Sequence, residues 1–231
     1  MMQYPYLKYD DIEHEANKLL FAYEAKHGEV TTPAIPIEDI IELHLKLAVY
    51  PVEEEDDILG YININKEAIY INDSLYPEDP FIRAGRYNFT LAHEVGHWIL
   101  HAPIVKTSQS NLSFVEDLEP NQVILCRSSN DKAMIEKQAD NFAGALLIQK
   151  HILKKQWLDF TGKSQPLFMD RAAASVTSKL RNNRQMEKEV ALRLWAKELA
   201  QVFNVSSQAM VIRLKQLGLL VETSNNLSLA V

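Results

Sequence analysis

The sequence predicts an α+β fold: a small three-stranded antiparallel sheet packed on helices, with a helical extension at the C-terminal end. Three observations carry this. Three short runs rich in Val, Ile and Tyr follow one another between residues 47 and 72. Segments of helical period flank them on both sides. Past residue 150 the only periodicity left is helical.

The elements can be justified in chain order. Over residues 8–27, Ile12, Ala16, Leu19, Leu20 and Tyr23 fall at helical spacing, and Gly28 stops the helix. A connector from Thr31 to Pro36 follows. Pro36 opens a second short helix with Ile37, Ile40, Ile41 and Leu45 on one side. Leu47–Val52, Ile58–Asn65 and Ala68–Asn72 read as strands, separated by an acidic turn, Glu53–Asp57, and a tight turn, Asn65-Lys66-Glu67. Asp73–Pro80 is a loop. The next helix starts at Phe81 or Arg86 and runs to His101, with Pro103 ending it. Residues 102–131 are polar and read as a long loop with some short structure of its own, a length uncommon without a function. Helical spacing resumes from Asp131 to Lys150. Residues 151–185 are helical in part and broken near Gly162 and Pro166. Two more helices span 187–203 and 206–217, with Gly218 as a stop, and the tail from Thr223 frays. The expected domains are 1–150 and 151–231, the second carrying a helix-turn-helix-like pair over 196–217.

Composition narrows the class. At 231 residues the chain holds one full domain and an appendage, or two small domains. With 47% hydrophobic and 24% charged residues, wholesale disorder is excluded. No stretch reaches the ~18 apolar residues of a membrane helix. The N-terminus shows no apolar signal region, and the single cysteine, Cys126, excludes an internal disulfide framework. Together these point to the cytoplasm. Charge is uneven: residues 1–170 hold 15 Lys and Arg against 27 Asp and Glu, whereas 171–221 hold 9 against 3. The acidic balance argues against nucleic-acid binding by the whole chain, and the basic end keeps a local version open.

One motif carries chemistry. Arg86-Tyr-Asn-Phe-Thr-Leu-Ala-His93-Glu94-Val-Gly-His97-Trp-Ile-Leu-His101 contains H-E-x-x-H. Residues four apart share a helix face, so His93 and His97 can converge on one zinc ion at about 2.0–2.1 Å. Glu94 is then placed to act as general base toward metal-activated water. With 7 His and 19 Glu in the chain, chance supplies roughly 0.02 such motifs. An apolar stripe of Leu91, Val95 and Trp98 or Ile99 runs through the motif and supports a helix. The bland alternative is a surface helix with two solvated histidines. Gly96 inside that helix costs about 1 kcal/mol relative to Ala; the useful reading is close approach by another element over the site, the bland one tolerated drift. His101 lies roughly 12 Å along the axis from His93, too far to share an ion, and suits a helix end.

A catalytic zinc site takes a third protein ligand and one open position. Glu136 and Asp140, in Glu136-Lys-Gln-Ala-Asp140-Asn-Phe-Ala-Gly-Ala-Leu-Leu, are four apart on a predicted helix, where like charges repel unless a cation is near. Glu136 can bind the metal while Asp140 accepts the outer N–H of a ligating histidine. The alternative is a solvated acidic edge beside a buried stripe of Ile135, Ala139, Phe142 and Leu146. From spacing alone Glu116, Asp117, Glu119 and Asp131 compete for the ligand role. Cys126 could approach the metal as a thiolate, although a free cysteine is more often a small buried hydrophobe.

From about residue 34 to 150 the chain resembles the ImmA/IrrE family of metallo-endopeptidases, on Phe89–His101 and on Glu136–Leu147. The resemblance implies a compact gluzincin-like fold, one zinc ion held by His93, His97 and Glu136, Glu94 as base, and Asp140 behind a ligating histidine. Where members often follow Leu-Leu with Met-Pro, this chain has Ile148-Gln149, which alters the helix exit and not the ligands. The implied reaction is hydrolysis of peptide bonds in a regulatory protein, often a helix-turn-helix repressor. Tyr87 and His101 are candidates for steadying the oxyanion, and the sequence does not choose between them. An extended substrate can pair with the edge of the Ile58–Asn72 hairpin.

The segment 199–218 reads as helix, turn, helix, with Ser206 as N-cap and Ala200, Val205, Met210 and Leu214 inside. Gln208, Arg213, Lys215 and Gln216, with Arg181 and Arg184 nearby, would be its contacts to nucleic acid. A helical pair that only packs is the favoured reading. Two readings therefore stand against the zinc endopeptidase: a DNA-binding regulator, and a protein-interaction module, each with a zinc site that is structural or sensory.

Overall fold

A computed structural model of the chain describes residues 4–55, 58–76, 84–110, 129–178 and 186–222, apart from the side chains of 84, 108–110 and 129–133. Cys126, Glu116, Asp117, Glu119, Arg181, Arg184 and the side chain of Asp131 lie outside what is described. The chain divides into two compact units, Met1–Leu147 and Ile148–Val231.

The first unit begins with α1, Tyr9–His27, whose predicted stripe Ile12, Ala16, Leu19, Leu20 and Tyr23 is its buried face. The short helix after Pro36 is α2, Ile37–Asp39, which runs on into a π-helical turn, Ile40–Leu45. Lys46 ends that turn in the left-handed region at φ 60°. Three strands follow: β1, Ala48–Val52; β2, Gly60–Asn63; and β3, Ala68–Asn72. Then come a 3-10 turn, Asp73–Leu75, and the helices α3, Ala84–Leu100, α4, Ala102–Ser110, and α5, Ser129–Leu147. Helices α1 and α3 both pack on α5. Their shared core includes Ile12, Ala16, Leu91, Val95, Ile135, Ala139 and Phe142, all at most 1% exposed.

The sheet is mixed, which corrects the antiparallel expectation. Its order is β1-β3-β2: β2 pairs antiparallel with β3, but β1 pairs parallel with it, Tyr50 opposite Tyr70. The physical reason is burial. In β3, four of five residues are buried, so it takes the centre, while β1 carries Pro51, which cannot donate to a ladder and belongs on an edge. The acidic turn has to cross over to allow this, and Asn72 fixes the crossing. Its Nδ2 donates to the carbonyls of Glu54, Glu55 and Ile58 at 3.2, 3.2 and 2.8 Å. On the face opposite Ile62, Ile69 and Ile71, the rings of Tyr50, Tyr70 and Tyr61 run across the sheet in register, with centroids 5.6 and 4.9 Å apart.

Pro103 does not end helical structure. The chain turns at His101, and Pro103 sits in the first turn of α4, where its missing N–H costs nothing.

The second unit contains α6, Lys150–Thr161; β4, Leu167–Phe168; α7, Met169–Thr177; α8, Lys188–Trp195; α9, Lys197–Val202; α10, Ser207–Gln216; and β5, Leu220–Val221. Gly162, at φ 69°, caps α6 where a break was expected. The helix expected over 187–203 is two helices, α8 and α9, which meet at Ala196, the C-cap of one and the N-cap of the other. The Ser206 hydroxyl accepts from the Ala209 amide at 3.1 Å, the N-cap expected. The parallel β4–β5 pair, two residues long, has no periodic signature and was not anticipated. Trp157 fills the core of this unit, its Nε1 donating to the Gln165 carbonyl at 3.3 Å.

Candidate metal centre

Helix α3 carries its apolar stripe inward, with Leu91, Ala92 and Val95 fully buried, and this turns His93 and His97 toward α5. Gly96 sits at the crossing. A Cβ there would stand 3.1 Å from Ala139 Cα, 3.2 Å from the Ala139 carbonyl oxygen and 3.2 Å from Phe142 Cβ. The close approach expected of Gly96 is therefore real, and the neighbour is the helix that bears Glu136 and Asp140.

That contact brings three groups together. His97 Nε2 lies 3.1 Å from His93 Nε2. Glu136 Oε2 is 3.1 Å from His93 Nε2, and its Oε1 is 3.7 Å from His97 Nε2. One ligand atom from each residue lies within 4.8 Å of the others, and this is the group able to hold a metal ion among the described residues. Two imidazole nitrogens and a carboxylate suit zinc, as they suit other borderline divalent ions. Behind them, His93 Nδ1 donates to Asp140 Oδ1 at 2.9 Å, so Nε2 is the atom that faces the group.

Electrostatics agree with a cation here. Burial works against a proton on His93, but the Asp140 and Glu136 carboxylates override it and lift its pKa to about 10. Burial likewise opposes charge on Glu136, yet the hydrogen bond from His93 holds its carboxyl well below the usual carboxylate range. Glu94 lies beside them, 5% exposed. Burial raises its pKa, the charge of His93 opposes that, and the amide of Ile62 on β2 donates to its carboxylate. A buried carboxylate with raised proton affinity next to a metal group is equipped to accept a proton.

Neither oxyanion candidate is placed for that task. Tyr87 is buried, and its hydroxyl donates to Glu38 Oε1 at 2.6 Å. His101 is 1% exposed, with Nδ1 3.0 Å from His97 Nδ1 and Nε2 2.9 Å from Gln138 Oε1. Burial lowers its pKa to about 4. It stands outside the group of three, and its Nδ1 meets His97 rather than capping a helix end. Gln138 was missed by sequence reading. A glutamine buried in the apolar stripe of α5 was the available signal.

Of the four nucleic-acid candidates on α10, two are engaged elsewhere in the second unit. Arg213 is 1% exposed and donates from Nε to the Ile148 carbonyl at 3.0 Å, so it is a core residue and not a groove contact. Lys215 pairs with Glu189 at 2.9 Å. Gln208 and Gln216 are exposed.

With this geometry in view, the sequence comparisons are direct. The peptidase family described as the IrrE N-terminal-like domain matches residues 51–215, more than two thirds of the chain. The chain belongs to this family. At family level the IrrE-like chain is a metallopeptidase-type hydrolase. The match runs beyond residue 150 and takes in most of α10, so the C-terminal helices fall within the family's span. No curated protein matches the chain. Among the described residues, no helix is long and apolar enough to cross a membrane.

Proposed function

We propose that this IrrE-like chain is a cytoplasmic zinc endopeptidase that cleaves a regulatory protein, by class a helix-turn-helix repressor. The observation that carries the reading is the convergence of His93, His97 and Glu136 from two helices beside the buried carboxylate of Glu94. The family match supports the hydrolase class. The substrate class rests on the family resemblance alone.

His93 Nε2, His97 Nε2 and Glu136 would hold the ion, and Asp140 would keep His93 oriented. When bound, zinc lowers the pKa of water and polarises the scissile carbonyl. Glu94 takes the proton from the attacking water on its carboxylate and passes it to the leaving amine. β2 borders the sheet and reaches Glu94 through the Ile62 amide, so an extended peptide laid along β2 would run past the base.

The test is cleavage of repressor proteins and of an unfolded generic protein by the full chain with zinc, after chelation, and with Glu94→Gln. The Gln variant should keep zinc and lose hydrolysis. Cleavage at the parental rate, by that variant or by chelated protein, removes the assignment.

A further inference from the structure

His93 and His97 are held from behind in different ways. His93 leans on a carboxylate, Asp140. His97 leans on a chain of neutral groups that ends at the backbone of residue 5.

The direction of that chain can be read from its far end. The Pro5 carbonyl can only accept, so the Gln138 atom 3.1 Å from it is the amide Nε2, which donates. The other end of the amide, Oε1, then faces His101 Nε2 at 2.9 Å and can only accept. His101 Nε2 therefore carries the ring's proton. A neutral imidazole has one N–H, which leaves His101 Nδ1 as an acceptor, 3.0 Å from His97 Nδ1. His97 must donate there. Its own proton is thereby placed on Nδ1, and the lone pair on Nε2 is turned toward His93 and Glu136. The Tyr4 ring stands edge-on to His101, with centroids 5.6 Å apart, and holds that ring in place.

We propose that Gln138, acting through His101, is a positioning residue that fixes the tautomer of His97 and so its readiness to bind metal. The inference rests on the metal reading above for its purpose, but the tautomer itself does not. Gln138 acts at two removes, and the orientation of its amide is set by one carbonyl near the N-terminus.

The test uses the full chain labelled with 15N-histidine. Long-range proton–nitrogen correlation spectra, with His97 assigned by comparison with His97→Asn, give its tautomer. Zinc affinity is measured by competition with a chromophoric chelator. The parent should show His97 protonated at Nδ1. Gln138→Met keeps length but offers no acceptor. It should shift His97 toward the Nε2-protonated form and weaken zinc binding about tenfold or more, the usual loss when a ligand's outer partner is removed. A parent with His97 protonated at Nε2 overturns the proposal without any variant being needed. So does a folded Gln138→Met that keeps the parental tautomer and affinity. A parent with the expected tautomer that takes up no zinc would overturn the metal reading alone.

Discussion

The α3–α5 crossing allows a sharp test, Gly96→Ala. Mid-helix alanine is better than glycine by about 1 kcal/mol, so on propensity alone the change should stabilise α3. The added Cβ, however, meets the backbone of α5 at 3.1 and 3.2 Å and Phe142 Cβ at 3.2 Å. Backbone cannot rotate away as a side-chain tip can, so α5 has to back off by a few tenths of an ångström. Overpacking of this kind costs about 1–3 kcal/mol. The two effects leave a net loss of about 0–2 kcal/mol, or a melting temperature lower by up to roughly 8 °C for a chain of this size. The larger effect should fall on the metal group, because Ala139 lies between Glu136 and Asp140 and its displacement carries both carboxylates away from the histidines. Zinc affinity should fall severalfold, since a shift of a few tenths of an ångström uses up most of the roughly 0.5 Å of misplacement such a group tolerates. Gly144→Ala is the control. It lies on the same α5 and its Cβ would meet nothing within 4 Å, so it should gain up to about 1 kcal/mol and leave zinc binding alone. Urea titration and chelator competition read both quantities. Should Gly96→Ala be as stabilising as Gly144→Ala, with parental zinc affinity, the close-contact argument is refuted.

Two further outcomes follow from the same geometry. Asp140→Ala removes the acceptor of His93 Nδ1 and should lower zinc affinity about 10–100-fold while the fold persists, as chelator competition and circular dichroism would show; unchanged affinity would deny Asp140 its role. Burial, then the hydrogen bond to Glu38, raises the Tyr87 pKa above the ordinary phenol value of 10.0. As pH climbs past that value the unfolded chain loses the proton first, so this contribution is full below it and is lost above it. Urea midpoints should therefore fall between about pH 10 and 11, and Tyr87→Phe should make that fall shallower. Tyr23 and Tyr61, shifted the same way, keep it from vanishing. A variant whose alkaline fall matches the parent's would show that Tyr87 contributes nothing to it.

What could be read from the sequence divides along a physical line. Local periodicity and spacing were enough for the stripe of α1, the three strand segments, the His93–His97 helix and the shared face of Glu136 and Asp140, because each depends on residues within a few positions of one another. Gly96 was legible too, since an unexplained cost inside a helix implies a neighbour. Long-range choices were not. The parallel seating of β1 depends on which strand is buried on both faces, and the acidic turn that allows it is held by Asn72, a residue silent in any periodicity. The distance argument removed His101 from the ion but could not say what its ring would meet, because Gln138 arrives from a helix 37 positions away. The misreading of Arg213 has the same origin. A long cation in an amphipathic helix looks solvent-facing until a buried carbonyl is found for it.

The seating of β1 has one more effect. A sheet of three strands has two borders, and this one has them unequal. The border formed by β1 includes a proline, so its row of amides is interrupted and a stranger's strand would find it a poor template. The border formed by β2 has no proline and lies against α3, with its Ile62 amide given to Glu94. On the proposed function, an extended substrate would therefore find β2, the flank nearest the histidines, the better template, and the imino acid at position 51 would discourage pairing on the other side.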